Sequence, residues 1–215
     1  MFYYFTQTQH ALSNIALKRI KISQINELND PYELSALYVR DPEQRTNREV
    51  LLRSFDNRRG IISFSDNYSS PIMWGHYADK HAGICLGFDI APELLFKVTY
   101  ISDLLRFDKK VSLEIKDASD LLASKHISWN YERESRIFVS LEDKIAEHGN
   151  YFEELSEQII LKEVILGYRC QVPIDHLLEL VGKIYNHRVF VKKARLAFTN
   201  FKVVEDRNFR LDSKN

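Results

Sequence analysis

The sequence predicts an α+β fold in a single domain spanning residues 1–215, with a mainly antiparallel sheet and helices on its flanks. Three observations support this fold class. The composition, with 45% hydrophobic and 28% charged residues, is typical of a globular chain. Strand-like runs cluster in the middle of the chain, and they do not alternate regularly with helical segments as βαβ units would. No internal repeat and no linker-like segment divides the sequence.

Charge and cysteine content narrow the functional classes. Thirty basic and thirty acidic residues cancel, so bulk charge does not favour nucleic-acid binding. The short basic runs at 18–21 and 192–195 are candidate local patches. Cys85 and Cys170 lie in apolar runs and are predicted to be buried thiols. No apolar run has membrane-spanning length, and the N-terminus lacks the pattern of a signal peptide, so a cytoplasmic protein without membrane contact is expected.

Apolar spacing predicts the elements of the first half of the chain. Leu12, Ile15 and Ala16 recur at helical spacing, whereas short runs of aromatic and β-branched residues indicate strands. Ser70 and Pro71 mark the start of another helix. The predicted elements are, in order, strand 2–6, helix 9–18, strand 20–23, helix 42–58, strand 60–65, a helix over about 71–79 and strand 84–89.

A turn at residues 29 and 30 is predicted to precede a short helix. Proline disfavours a helical conformation in the residue before it and suits a first helical position, so Pro31 is expected to open that helix. Asn29 and Asp30 then lie on the turn, where Asp30 can also serve as an ordinary helix cap.

The second half of the chain is predicted to complete the sheet. The run at 96–101 alternates enough to form a hairpin with strand 84–89. Leu177 and Val181 have helical spacing after Pro173. The predicted elements are, in order, helix 112–126, a strand ending near residue 141, helix 151–160, strand 163–167, helix 173–185, and strands 188–191 and 196–204.

A glutamate-rich stretch follows two aromatic residues, Trp129 and Tyr131, which can form aromatic walls. If the chain is extended there, Glu132, Glu134 and Arg136 share one face of a strand. Two carboxylates at the mouth of a strand can hold a ribose hydroxyl or stabilise positive charge that develops on a sugar carbon. A helix end with an ion pair between Glu132 and Arg136, or a solvated edge strand, explains the same residues without chemistry.

Three further clusters combine aromatic and polar side chains. Two aromatic side chains at a strand end can stack on the ring of a ligand, and a neighbouring hydroxyl can form a hydrogen bond with an amide of that ligand. Serine side chains on one face of a strand can orient a carboxylate. A glycine inside a helix, such as Gly75, lowers the stability of that helix, so its presence indicates close packing or the approach of a ligand. Core packing is the alternative for the aromatic residues. The clusters are Tyr3, Tyr4 and Thr6; Ser63 and Ser65; and Trp74, His76 and Tyr77.

No P-loop, dinucleotide-binding glycine motif, hydrolase elbow or zinc-protease motif occurs in the sequence. Four other blocks follow one another along the chain: Asn29–Glu33, Ile62–Ser65, Met73–Phe88 and Trp129–Arg136. In this order they resemble a large bacterial family that is found among phage-defence genes and whose domain has no assigned function. The likeness extends over about residues 3–168.

The N-terminal strand, the Ser-Phe-Ser strand and the Glu-x-Glu entry also resemble ADP-ribosyltransferases of the DarT type. This resemblance implies a split-sheet α+β fold that holds NAD as a substrate. Glu134, or else Glu132, would be the catalytic glutamate, and Tyr4 would take the place of a His or Arg of the family. The residues that the resemblance implies for the NAD pocket are Tyr3, Thr6, Asn29, Asp30, Ser63, Ser65, Trp74, His76, Tyr77 and Arg136.

These implications give the leading hypothesis, an NAD-dependent ADP-ribosyltransferase that acts as a toxin or antiphage effector. The acceptor is expected to be nucleic acid (RNA or DNA) or protein, and a toxic enzyme implies an inhibitory partner such as an antitoxin. One alternative is a sensor module that binds a nucleotide or a phage component without chemistry. Another is a metal-dependent hydrolase or nuclease that uses Glu132, Glu134 and His76. In a last alternative, all of these blocks are core residues and helix caps.

Overall fold

A computed structural model describes residues 1–30, 32, 36, 38–56, 58–105 and 122–212. Its elements confirm the α+β class, with a large, mainly antiparallel sheet and few helices. The chain divides into two compact units. The first comprises Met1–Ile20, Phe64–Glu93 and Glu154–Asn215, and the second comprises Lys21–Ser63 and Leu94–Glu153. The single domain expected from the sequence remains a prediction.

The described residues form twelve strands and four α-helices, joined by turns and short 3-10 helices. The strands are β1 (Phe2–Thr6), β2 (Arg19–Ile22), β3 (Arg59–Ser65), β4 (Ile84–Ile90), β5 (Phe96–Lys97), β6 (Thr99–Ile101), β7 (Ser124–His126), β8 (Glu134–Ser140), β9 (Tyr151–Glu154), β10 (Ile159–Leu166), β11 (Phe190–Leu196) and β12 (Val203–Asp212). The helices are α1 (Thr8–Ala16), α2 (Pro42–Asp56), α3 (Pro71–Tyr77) and α4 (Ile174–Ile184).

The first unit is built around β4. β1 and β10 flank it in antiparallel fashion, β11 pairs with β10 in parallel, and β12 is antiparallel to β11. Helix α1 contacts β4 and α4, and it buries Ala11 and Ile15, while α4 buries Leu177 and Val181. All residues of β4 except Asp89 are buried, which explains why this strand is a near-continuous apolar run rather than an alternating one.

The second unit contains the part of β3 up to Ser63, which is followed in the sheet by β8 and β5. β5 is antiparallel to β8, with Phe96 opposite Arg136. β6 and β7 form a separate parallel pair in which Tyr100 lies opposite Lys125. The segment between β5 and β6 joins the two pairs, because the Val98 N–H donates to the Glu134 carbonyl oxygen at 3.0 Å. Residues of β7 and β8 are thereby brought together.

The predicted hairpin between 84–89 and 96–101 is wrong. Residues 96–101 form β5 and β6, which pair with β8 and β7, whereas β4 has β1 and β10 as its neighbours. Alternation of side chains indicates that a segment is extended, but it carries no information about which strand lies beside it. Closeness along the chain is therefore a poor guide to strand pairing here.

Three other element predictions also differ from the structure. Residues 151–160 form β9 and the start of β10 instead of a helix, because Ile159 pairs with β4 and is buried there, and such burial overrides local preference. The end of the predicted helix 112–126 is β7, and residues 112–121 lie outside the described part of the chain. Most of the predicted strand 196–204 is the turn before β12.

The remaining predictions are confirmed within the described residues, with bounds that shift by a few positions. The short helix expected after Pro31 is not described, since it lies largely on undescribed residues. Cys85 and Cys170 are buried free thiols, as expected. None of the helices in the described segments combines the length and the hydrophobicity that a membrane span requires.

Helix α3 begins as its sequence predicts. The Ser70 hydroxyl oxygen accepts a hydrogen bond from the Met73 N–H at 3.4 Å, and Pro71 occupies the first turn. A Cβ added at Gly75 would meet nothing within 4 Å. Of the two explanations expected for Gly75, close packing is therefore wrong, and the approach of a ligand stays a prediction.

A pair of glycine substitutions should separate close packing from helix propensity. Gly83→Ala should lower the free energy of unfolding by about 2 kcal/mol, because its Cβ would lie 2.3 Å from the Thr6 carbonyl oxygen and 2.8 Å from the Ala78 carbonyl carbon. Gly75→Ala should raise it by up to about 1 kcal/mol, since alanine is the better helix former. Urea unfolding followed by far-UV circular dichroism measures both changes, and equal effects would contradict the packing argument.

Candidate functional site

Four charged side chains meet in the second unit and are almost completely buried. Lys125 belongs to β7, Glu132 ends the 3-10 helix Ile127–Glu132, and Glu134 and Arg136 belong to β8. Their exposed fractions are 6%, 4%, 4% and 1%, respectively. We call these four residues the charge cluster. Its two acids and two bases compensate each other, which is the condition under which buried charges are tolerated.

Arg136 holds Glu134 in a bidentate ion pair. Its Nε donates to Glu134 Oε1 at 2.8 Å, and its Nη2 donates to Glu134 Oε2 at 2.9 Å. The Nη1 group donates to the carbonyl oxygen of Leu122 at 2.7 Å. A planar guanidinium matched to a carboxylate fixes the geometry of both groups, so the orientation of the Glu134 carboxylate is set by Arg136.

Lys125 links the two glutamates. Its Nζ donates to Glu132 Oε2 at 2.6 Å and to Glu134 Oε2 at 3.5 Å. Glu132 does not lie on β8, because Arg133 has a φ of 48°, in the left-handed region, and ends the 3-10 helix before the strand begins. The prediction that Glu132 and Glu134 alternate along one strand is therefore wrong. Glu134 and Arg136 are on the same strand, two residues apart, as predicted.

The surroundings of Glu134 lower its pKa. Burial by itself would raise this pKa, but the Arg136 guanidinium, the Lys125 ammonium and a hydrogen bond with Ser63 together outweigh burial. The Tyr100 hydroxyl oxygen accepts a hydrogen bond from the Glu134 N–H at 2.8 Å. Burial and the carboxylates of the charge cluster raise the pKa of Tyr100 to about 12. Glu134 is thus ionised and Tyr100 protonated near neutral pH.

A cavity of about 500 Å³ lies against the charge cluster and shares Lys125 with it. Trp129 and Tyr131 supply aromatic surface, with ring centroids 6.0 Å apart and ring planes inclined by 38°. The volume falls within the range of about 300 to 1,000 Å³ that is usual for small-molecule sites. The lining includes Asp30, Tyr32, Asp103, Lys125, Trp129 and Tyr131.

The predicted site residues of the second unit are only partly brought together. Ser63 contacts the charge cluster through Glu134. Asp30 lines the cavity, where it is 5% exposed and its Oδ1 accepts the Tyr32 N–H at 2.9 Å. Asn29 is exposed and is not among the described residues that line the cavity.

Seven predicted site residues belong to the first unit, and none is among the described residues that line the cavity. Trp74 has no exposed surface, and its indole N–H donates to the Tyr68 carbonyl oxygen at 2.6 Å, so it is a core residue there. The Tyr3 hydroxyl donates to Glu163 Oε2 at 3.4 Å. The seven residues are Tyr3, Tyr4, Thr6, Ser65, Trp74, His76 and Tyr77.

Sequence reasoning missed Lys125 and Tyr100. Lys125 falls in a segment with helical spacing, where a lysine is normally a solvated side chain. Its burial depends on the parallel pairing of β6 with β7, which no local sequence pattern predicts. Tyr100 lies in an alternating run that looks like an ordinary strand. The two neighbouring glutamates, Glu132 and Glu134, were the signal in the sequence that could have indicated a buried lysine, because buried carboxylates are normally paired with a cation.

Comparisons with protein-family models, with curated proteins and with solved structures found no match for this chain. The likeness to the phage-defence family and to DarT-type enzymes therefore remains a hypothesis drawn from the sequence blocks. The geometry of the charge cluster and of the cavity has to support any functional proposal.

The lowered pKa of Glu134 predicts a specific loss of stability in acid. Its contribution is fully present above its unfolded value of about 4.5 and disappears as the pH falls through the lower folded value. At neutral pH, Glu134→Gln should lower the free energy of unfolding by about 3 kcal/mol, because it leaves Arg136 without its carboxylate. This difference from the wild type should shrink at about pH 3.5.

Urea denaturation at both pH values measures these differences. Glu157→Gln is the matched control, because Glu157 is exposed, and it should behave like the wild type at either pH. A difference for Glu134→Gln that is the same at both pH values would contradict the assignment of the ionised carboxylate to the ion pair.

Proposed function

We propose that the protein binds NAD in the cavity and transfers the ADP-ribose group to an acceptor, as an ADP-ribosyltransferase of a toxin or antiphage system. One observation carries this proposal: Lys125 is at once a wall of the cavity and the partner of Glu132 and Glu134. A ligand in the cavity would therefore be separated from two carboxylates by a single ammonium group.

The residues support the chemistry of this transfer. The bond between the nicotinamide nitrogen and the ribose carbon breaks, and nicotinamide leaves with the electron pair. The carbon becomes cationic until an oxygen or nitrogen atom of the acceptor attacks it and loses a proton. A carboxylate that accepts a hydrogen bond from the ribose stabilises this positive charge. Trp129 and Tyr131 provide surfaces on which the departing ring can stack.

The geometry favours Glu132 over Glu134 as the carboxylate that meets the ribose. Both oxygens of Glu134 are taken by Arg136, so Glu134 acts as a positioning residue. Glu132 is held by Lys125 at 2.6 Å, and a ribose hydroxyl would have to displace that ammonium from Glu132.

A second candidate function is a sensor module that binds a nucleotide without chemistry. The observation that favours it is the complete pairing of the charge cluster, in which two bases already neutralise both carboxylates. In this case the cluster maintains the shape of the cavity wall. The two functions share the ligand and differ in whether the glycosidic bond is broken.

The transferase proposal predicts labelling of one class of acceptor. Purified protein is incubated with NAD labelled on its adenine side and with lysate separated into RNA, DNA and protein fractions. Label should enter one fraction. Glu132→Gln should reduce the rate of labelling by about 100-fold, because the loss of one electrostatic contact to the transition state typically slows an enzyme by about that factor.

The control is Glu157→Gln, which should label as the wild type does. Circular dichroism establishes that each variant is folded before its rate is measured. Tight NAD binding with neither label transfer nor nicotinamide release would reject the transferase and leave the sensor module. The absence of both NAD binding and transfer would reject the transferase and a sensor module that binds NAD.

A further inference from the structure

The described residues that line the cavity carry more acidic than basic side chains. Among the described lining residues, the lysines, arginines and carboxylates are Asp30, Asp103 and Lys125. Behind Lys125 lie Glu132 and Glu134, together with the remaining base of the charge cluster, Arg136. The charges of the cluster balance, so the described lining is left with the two carboxylates of Asp30 and Asp103 beside the single ammonium of Lys125. Such surroundings disfavour a phosphate group inside the cavity and favour a ligand that brings positive charge.

Asp30 is a buried acid of the cavity lining whose charge is not balanced by a described lysine or arginine. It is 5% exposed, and its Oδ1 accepts the backbone N–H of Tyr32 at 2.9 Å. No lysine or arginine in the described part of the chain pairs with it. A buried carboxylate without a cation carries a desolvation cost that a positively charged or hydrogen-bond-donating ligand would offset.

The aromatic residues of the cavity are suited to the same kind of ligand. The ring of Trp129 already attracts a cation, because Lys125 Nζ lies 4.8 Å from its centroid. Tyr131 and Tyr32 contribute further aromatic surface to the lining. The negative face of an aromatic ring attracts a flat cationic ring more strongly than a neutral ring of the same size. Aromatic and acidic side chains therefore favour the same property of the ligand.

We infer that the cavity selects an aromatic cation, with Asp30 as the residue that determines this selectivity. The inference rests on the proposed function and deepens it: the pyridinium end of oxidised NAD occupies the cavity, and the pyrophosphate stays outside. The reduced dinucleotide NADH has nearly the same size but a neutral ring, so the cavity should discriminate against it. Discrimination between the two redox states is thus a consequence of the charge distribution.

Two ligand pairs test the inference by isothermal titration calorimetry. Oxidised NAD should bind about tenfold more tightly than NADH. The permanent cation 1-methylnicotinamide should exceed neutral nicotinamide by a similar factor, and this pair contains no phosphate. Asp30→Asn should reduce both preferences to about threefold or less. The variant keeps the size of the side chain and an oxygen for the Tyr32 N–H, so the local turn is retained.

Asp143→Asn is the matched control, because Asp143 is exposed and lies outside the described lining, and it should retain both preferences. Equal binding of NAD and NADH, or of the two nicotinamide compounds, would overturn the charge selection while leaving NAD binding intact. Retention of both preferences in Asp30→Asn would overturn the role of Asp30. If none of the four ligands binds, the proposed function fails together with this inference.

Discussion

The candidate site depends above all on the bidentate ion pair between Arg136 and Glu134. Arg136 is 1% exposed, and a guanidinium at that depth without its carboxylate would destabilise the unit by about 3 to 5 kcal/mol. The same guanidinium binds the Leu122 carbonyl oxygen, so one side chain connects β8 with the segment that leads into β7. Lys125 on β7 is thereby held where its ammonium reaches both glutamates.

The turn at Arg133 is the second constraint on the site. A non-glycine residue in the left-handed region costs about 1 kcal/mol or more, and such a cost persists where surrounding contacts demand the conformation. At Arg133 the turn separates Glu132 on the 3-10 helix from Glu134 on β8. It allows the two carboxylates to approach one ammonium from different elements. A continuous strand would instead have set them side by side along one face.

The charge cluster is balanced in charge, whereas the described lining of the cavity is not, although the two share Lys125. Within the cluster, acids and bases are matched and the carboxylate of Glu134 is immobilised. In the cavity, Asp30 is buried with a backbone N–H as its described partner, and aromatic rings form much of the remaining surface. A matched cluster gives rigidity, whereas we expect the buried acid of the cavity to give affinity for a positively charged ligand. This division of roles links the proposed NAD site to its expected preference for the oxidised ring.

The sequence by itself determined the fold class, most of the elements and the stretch that carries Glu132, Glu134 and Arg136 of the charge cluster. Apolar periodicity and turn residues are local properties, so they located β1, β3, β4, α2 and α3. The placement of Glu134 and Arg136 on one strand could likewise be predicted, because they are two residues apart in a run typical of a strand. Only the tertiary structure decided which strands pair, that 151–160 is extended, and that Lys125 and Asp30 line a cavity. These features depend on contacts between segments far apart in the chain, where burial and ion pairing outweigh the preferences of single residues.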